Sequence, residues 1–483
     1  MSSYFETGSG RGGPAQGDLP GSEPETVSLI APRCDIVLGD TGIRIPLGLG
    51  GRRPREIPYA DITHQVAASR GFWLGTRRGI HMIRRRRFLA SDGPEVLDRA
   101  LVRRLGRQPN GLTQLGRITE IDRLAQGPHS LLATKLLVLV CVAVYVLQLS
   151  DPFVTEVGAL ATAFVREGQL WRLATANLLH APIGLHLHIV MNMLALLGLA
   201  LIVERPLGSL RTLVVIGASA LGSMGASYVV RYEEVVGASG IVMGLAGAAL
   251  CLELNFPERL PVWWRLPRTL FLCVLVVEGV LGFVIPVVAG AAHLGGFVGG
   301  YLATRPMARS ALFGQPAGPW VRRMAWSVGL AGLLALMAAV PLVLRSPSAL
   351  ERYGADLLHM PEAETWSCND LAWRMATETD ASFEQLEVAL ALAERAVAQS
   401  DHADPDLLDT LAEVLFMRGD LEGALEAIDA AIYLTRGERY FVEQRRRFTG
   451  DRPADDRPAP PLLPWSFRDE GEGEFFGEPG ITI

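Results

Sequence analysis

Nearly all the long apolar runs of this 483-residue chain fall between about Leu131 and Val343, while the stretches on either side read as ordinary soluble sequence. That gathering constrains the fold more than any average can. Roughly 20 apolar residues cross a bilayer core, and in lipid the backbone must satisfy its hydrogen bonds within helices or a closed barrel. The mean hydropathy of +0.25, with only 20% charged residues, also argues against an all-soluble enzyme. Run lengths predict spans near 133–150, 185–203, 209–230, 239–255, 268–288, 290–306 and 323–344, about seven in all. The expected fold class is an α-helical polytopic membrane protein.

Lys and Arg cluster at alternate ends of these spans. Arg84 to Arg87, Arg117, Arg123 and Lys135 precede the first; Arg205 and Arg211 lie between the second and third; Arg259, Arg265 and Arg268 precede the fifth; Arg305, Arg309, Arg322 and Arg323 precede the seventh. Positively charged ends stay in the cytoplasm, so the N-terminus is expected there and the segment after Arg345 on the outer, periplasmic or extracellular, side of the cell membrane. Met1 to Ser28 is rich in Gly, Ser, Pro and Glu and lacks an apolar core, so it reads as a disordered tail rather than a secretory signal. A net charge of −6 gives no reason to expect a nucleic-acid partner. The five cysteines lack C-x-x-C spacing and imply neither a disulfide framework nor a zinc site.

Two soluble regions flank the apolar centre. Residues 27–108 hold short alternating runs, Asp35-Ile-Val-Leu, Gly42-Ile-Arg-Ile, Gly71-Phe-Trp-Leu-Gly and Ile80-His-Met-Ile, then a helical pattern from Pro94 to Leu105. This predicts a small β-rich domain, and its order, with the segment Ile57-Pro-Tyr-Ala-Asp-Ile, resembles bacterial pleckstrin-homology-like domains. Residues 1–26 are expected as a disordered tail and 109–130 as a linker. Residues 364–448 carry amphipathic helical patterns, including Leu386 to Val397, Pro405 to Arg418 and Leu421 to Leu434. The run from Leu408 to Ile432, with Gly419-Asp420 at a turn, resembles a tetratricopeptide repeat, a scaffold that presents a groove to a protein or peptide ligand. Residues 449–483, Pro-rich and then acidic, are expected to be disordered.

Within the apolar centre, polar residues are the informative ones. A titratable side chain at membrane depth is costly, which makes each a functional candidate. Of nine histidines, His180, His186, His188 and His293 lie there. The predicted topology starts the second, fourth and sixth spans at the outer face. His188 and Asn192, Ser239 of Gly237-Ala-Ser-Gly240, and His293 then share one layer within roughly 10 Å of that face, at ~1.5 Å of rise per residue. Gly240 and Gly244 on the fourth span, and Gly295, Gly296, Gly299 and Gly300 on the sixth, form small-x-x-x-small faces that let helix backbones approach closely. Ser239 and His293 are thereby expected within hydrogen-bond reach. A serine needs a neighbouring base, and the tetrahedral oxyanion needs donors already aimed at it. The Ser239 N–H at a helix start, with His188 and Asn192 at i and i+4, could supply them.

Trp171-Arg172, His188-x-x-x-Asn192, Gly237-x-Ser239-Gly240 and Ala292-His293-x-x-Gly296-x-x-x-Gly300 occur in that order across six spans. This combination closely resembles the rhomboid intramembrane serine proteases over about residues 131–306, the expected protease core, with a linker and seventh helix at 307–346 as in the six-plus-one type. The resemblance implies a Ser–His dyad with Ser239 as nucleophile and His293 as base, an oxyanion pocket using His188 and Asn192, structural roles for Trp171, Arg172, Gly237, Gly240, Gly296 and Gly300, and no metal or other cofactor. It implies transmembrane protein substrates, with membrane lipids around them. His180 stands eight residues before His188, a longer spacing than the family's usual one, so His180 and His186 carry no assigned role.

Other readings of the same residues are weaker. Gly237-Ala-Ser-Gly-Ile does not match Gly-x-Ser-x-Gly, which excludes the soluble hydrolase elbow. Glu204-Arg205 reads as an interfacial anchor, and Glu278 as a paired or wetted acid. The main alternative function is a catalytically silent scaffold that binds transmembrane helices; such members would be expected to lack the serine or histidine. A transporter using Glu278 lacks the paired broken helices of such folds.

Overall fold

Alternating apolar residues in the first hundred positions pair as strands. The computed structural model describes residues 25–28, 35–47, 53–127, 130–181, 186–232, 234–284, 289–360, 365–459 and 481–482. Strands β1 (Glu25–Val27), β2 (Ile36–Leu38), β3 (Gly42–Leu47) and β4 (Arg53–Pro58) form one antiparallel sheet in sequence order. Strands β5 (Ile62–Ala68), β6 (Gly71–Thr76) and β7 (Gly79–Arg84) form a second. Ile36, Leu38, Ile43, Ile45, Ile62, Phe72 and Leu74 enclose one core with Leu97, Leu101 and Leu105 of helix α1 (Gly93–Gly106). The segment Ile57–Ile62 is the end of β4, a one-turn 3₁₀ helix and the start of β5.

Two expectations for this region need correction. Glu25 and Thr26, placed in the N-terminal tail, belong to β1, while residues 1–24 lie outside the described residues. Residues 109–130 are not a bare linker. They contain helix α2 (Gly111–Gln126), which buries Gln114, Ile118, Ile121 and Ala125, spaced to share one helix face. Gln114 Nε2 donates to the carbonyls of Tyr59 at 2.7 Å and Ile62 at 2.8 Å. The helix therefore packs as part of the N-terminal domain.

A helix stands at each of the seven predicted span positions. These are α3 (Leu132–Ser150), α7 (Leu187–Leu207), α8 (Ser209–Val230), α9 (Ser239–Asn255), α10 (Arg268–Val284), α11 (Gly290–Leu312) and α12 (Pro319–Val343). Between α3 and α7 lie the short helices α4 (Phe153–Gly158), α5 (Thr162–Arg166) and α6 (Arg172–Thr175), and strand β8 (Leu160–Ala161). Among the described residues α3, α7, α8 and α12 are long and apolar enough to cross a membrane by length and composition alone. Helix α9 is shorter but packs against α7, α8 and α11, and its Ile241, Leu245, Ala248 and Leu252 are all buried. A helix apolar all round and enclosed by others need not match the lipid thickness itself. Residues 285–288 of the fifth predicted span, and the side chain of Glu278, lie outside the described residues.

Glu204, expected as an interfacial anchor, has a more specific role. It is fully buried at the end of α7 and accepts hydrogen bonds from the backbone N–H groups of Ala133 and Thr134, the Thr134 hydroxyl and the Ser209 hydroxyl. One carboxylate thereby caps the first turn of α3 and ties it to α8.

After α12 come α13 (Pro347–His359), α14 (Thr365–Thr377), α15 (Phe383–Gln399), α16 (Pro405–Arg418), α17 (Leu421–Leu434) and α18 (Arg439–Phe448). Three of these starts carry side-chain caps: Ser382 and Gln385 form a capping box on α15, Asp404 caps α16 ahead of Pro405, and Asp420 caps α17. Gly419 takes a left-handed φ of 87° to end α16. Beyond α18 the expectation of disorder from residue 449 needs correction for the described part. Arg457 pairs with buried Glu413, and β10 (Ile481–Thr482) runs parallel to β9 (Glu234–Val235). The remainder, 460–480 and 483, lies outside the described residues.

Candidate functional site

The glycines of α9 and α11 position the site. A Cβ on Gly296 would sit 2.0 Å from the Gly240 carbonyl oxygen, and one on Gly300 would sit 2.0 Å from that of Gly244. No side chain fits between these two backbones. The other face of α11 does the same with α8: a Cβ on Gly295 would sit 2.2 Å from the Gly222 carbonyl oxygen, and one on Gly299 2.5 Å from that of Ala218. The two glycine pairs of α11 thus seat it against two helices at once, with Ser219 and Ser223 of α8 closing on Gly244 and Gly240.

This packing brings Ser239, the first residue of α9, and His293, in the first turn of α11, together. His293 Nε2 lies 2.8 Å from Ser239 Oγ, and the histidine is only 8% exposed. The first backbone N–H groups of α9 have no partner within the helix and point toward the same end of the bundle.

Gly237 approaches the serine with φ 132°, a conformation that favours glycine. Its N–H donates to the Ala176 carbonyl at 2.9 Å, and a Cβ on it would meet His188 Cε1 and Nε2 at 3.1 Å. His188, in the first turn of α7, therefore lies against the strand-like segment that leads into Ser239. Asn192, one turn further on and buried, donates through Nδ2 to the His188 carbonyl at 3.0 Å, which leaves its second amide hydrogen for another acceptor.

Trp171 and Arg172 organise the segment between α3 and α7. Trp171 Nε1 donates to the Val157 carbonyl at 3.2 Å. Arg172 is fully buried, donating to the carbonyls of Glu156 (2.7 Å) and Ala159 (2.8 Å) and to Gln169 Oε1 (2.8 Å). It also reaches the Tyr353 hydroxyl of α13 at 3.4 Å and packs 4.3 Å from the Phe164 ring.

Several polar contacts of the helical bundle carried no sequence signal strong enough to single them out. Gln148 of α3 clasps the backbone of His180 in both directions, accepting from its N–H at 3.0 Å and donating to its carbonyl at 3.3 Å. The Tyr145 hydroxyl lies 2.5 Å from His186 Nδ1. Glu253 and Arg265 form a bidentate buried pair, both contacts 2.7 Å, at the far end of α9. Each involves a polar side chain at membrane depth, and for Gln148 and Glu253 that position was the available clue. Among the described residues no cluster of His, Cys, Asp and Glu could hold a metal ion.

The family model for the Rhomboid domain matches residues 167–310, the interval that contains Trp171, Arg172, His188, Asn192, Gly237, Ser239 and His293. The chain is 28% identical over 257 residues to "Rhomboid protease GluP" of Bacillus subtilis (strain 168), covering 51% of this chain and 49% of that protein. It is 35% identical over 141 residues to "RHOMBOID-like protein 4" of Arabidopsis thaliana, covering 29% and 34%. It is 31% identical over 140 residues to "Putative rhomboid protease YdcA" of Bacillus subtilis (strain 168), covering 29% of this chain and 67% of that protein. The chain spans about half the length or less of the first two.

Proposed function

The chain belongs to the rhomboid family of multi-pass membrane proteins, and from that premise we propose that it is an intramembrane serine endopeptidase cleaving peptide bonds in or near the transmembrane segments of protein substrates. The observation that carries this reading is the 2.8 Å contact between Ser239 Oγ and His293 Nε2. In the proposed reaction His293 Nε2 takes the Ser239 proton as Oγ attacks the scissile carbonyl carbon. The negative oxygen of the tetrahedral intermediate is met by the Ser239 N–H, the His188 ring and the free amide hydrogen of Asn192. Collapse breaks the C–N bond and His293 delivers its proton to the leaving amine. Water, deprotonated by the same histidine, then hydrolyses the acyl-enzyme. No cofactor enters this sequence.

The positive clusters at alternate helix ends support a cytoplasmic N-terminal β-rich domain. The Ser239 end and the C-terminal helices then lie on the outer side of the cell membrane. We read the β-rich domain as pleckstrin-homology-like and α14–α17 as tetratricopeptide-like, the latter offering a groove to a protein or peptide ligand.

Labelling of the full chain by a fluorescent fluorophosphonate tests the dyad directly. Modification of Ser239 is expected, with loss in both Ser239→Ala and His293→Ala while melting temperatures stay unchanged. Persistent labelling of Ser239→Ala would refute the assignment, and an unlabelled wild-type chain would favour the silent scaffold.

A further inference from the structure

His180 is fully buried between α6 and α7. Its Nδ1 lies 3.3 Å from the Leu178 carbonyl. A carbonyl oxygen only accepts, so Nδ1 carries the ring hydrogen and Nε2 is left as a bare acceptor. That Nε2 is buried and has no partner among the described residues. The His188 ring lies beside it, with centroids 5.2 Å apart and planes tilted by 58°. His188 Nδ1 is likewise buried and without a partner among the described residues, so the two rings do not bond each other directly.

The other edge of the His188 ring, Cε1 and Nε2, lies against Gly237: a Cβ there would stand 3.1 Å from both atoms and 3.6 Å from Ser239 Oγ. To donate to an oxyanion there, Nε2 must hold the hydrogen, which makes Nδ1 a second bare acceptor. Two buried acceptors side by side are costly unless one donor satisfies both. A single water has two hydrogens and suits the pair.

We propose that His180 is a positioning residue for the oxyanion pocket: through one buried water donating to His180 Nε2 and His188 Nδ1, it holds His188 in the Nε2–H form that faces Ser239. The tautomer of an imidazole is set by the bond its other nitrogen makes. Without the water His188 gains nothing from keeping Nδ1 bare, and the form with hydrogen on Nδ1 cannot donate toward Ser239. This inference rests on the oxyanion reading of His188.

Fluorophosphonate acylation of Ser239 in the full chain tests it, because the phosphonyl oxygen develops charge in the same pocket. His180→Phe keeps a ring in the space and removes the acceptor. It is expected to slow the maximal acylation rate by about tenfold to a hundredfold, the usual range for losing an orienting partner, with the half-saturating probe concentration unchanged. His180→Gln restores a polar side chain able to hold the water or donate to His188 Nδ1, and is expected to recover most of the rate. Full acylation by His180→Phe overturns the proposal, as does equal impairment of the Phe and Gln variants, which marks a purely structural role. The imidazole ¹⁵N spectrum of the histidine-labelled wild-type chain, with the His188 signals assigned by their loss in His188→Ala, is a check independent of whether His180→Phe folds. Hydrogen on Nε2 of His188 is expected, and hydrogen on Nδ1 overturns the proposal. If Ser239→Ala is still labelled, or His188→Ala is acylated at the wild-type rate, it is the site reading itself that fails.

Discussion

Ser239 and His293 are 54 residues apart in sequence, and what holds them at 2.8 Å is the absence of side chains elsewhere. Gly296 meets the backbone of Gly240 so closely that a methyl group there must push the helices apart. Gly296→Ala is therefore expected to cost about 1–3 kcal/mol of stability through overpacking. It should also slow fluorophosphonate labelling of Ser239 by more than tenfold, since a separation of about 1 Å is enough to cost catalysis heavily. Gly329→Ala on α12, where nothing lies within 4 Å of an added Cβ, should leave both the melting temperature and the labelling rate unchanged.

At the scale of elements, α9 joins the two ends of the bundle. Glu253 stands fourteen residues after Ser239 on α9, roughly 20 Å away at ~1.5 Å rise per residue. There the Arg265 guanidinium grips Glu253 and donates on to Thr63 Oγ1 (3.2 Å) and the Thr76 carbonyl (2.9 Å) of the N-terminal domain. The neighbouring turn adds His64, whose Nδ1 accepts from the Val262 N–H and whose Nε2 bonds Asp122 of α2. Arg117 and Arg77 both pair with Glu258. The β-rich domain is thus bolted to the segment between α9 and α10. Glu253→Ala would leave a buried guanidinium without its carboxylate and is expected to destabilise the chain by about 3–5 kcal/mol. Replacing Glu253 and Arg265 together by methionine should cost much less. Thermal unfolding in detergent compares the two.

For the whole molecule, the C-terminal helices share a core with the segment between α3 and α7: Phe153, Val157 and Phe164 pack with Leu350, Tyr353 and Leu357. Asp151 pairs with Arg345 at 2.9 Å, and Gln169 donates to Asp356 at 2.9 Å. Within this contact Tyr353 donates to Glu156 at 3.3 Å. Burial, reinforced by nearby Asp370 and opposed by Arg374, Arg172 and the Tyr353 hydrogen bond, pushes the Glu156 carboxyl up to about 8. The raised value means that the docked state binds a proton the open state releases. Stability from this site is complete below the ordinary carboxylate range near pH 4 and is lost as pH rises toward 8. Asp409, buried under α18, is pushed up to about 7 by burial, so its own contribution has faded by neutrality. The melting temperature is expected to fall between pH 7 and 8.5, and Glu156→Gln, which stays neutral, should flatten that fall. An equally steep fall in the variant would show that another group is responsible.

The apolar runs determined that the chain crosses a membrane, because their length matches the bilayer and lipid leaves no other way to satisfy a backbone. The glycine spacing on α9 and α11 and the polar residues stranded at membrane depth marked the candidate site for the same reason: each is costly in lipid without a use. Local patterns also marked α16 and α17 to the residue, since Pro405, Gly419 and Asp420 act within one turn of their own positions. Only the tertiary structure decided what those residues meet. Helix α2, the capping role of Glu204, the tie of Arg265 to the N-terminal domain and the docking of α13 on the Arg172 segment each depend on partners far away in sequence. Hydrogen bonds and ion pairs reach only a few ångströms, so such pairings exist only once packing has brought the elements together.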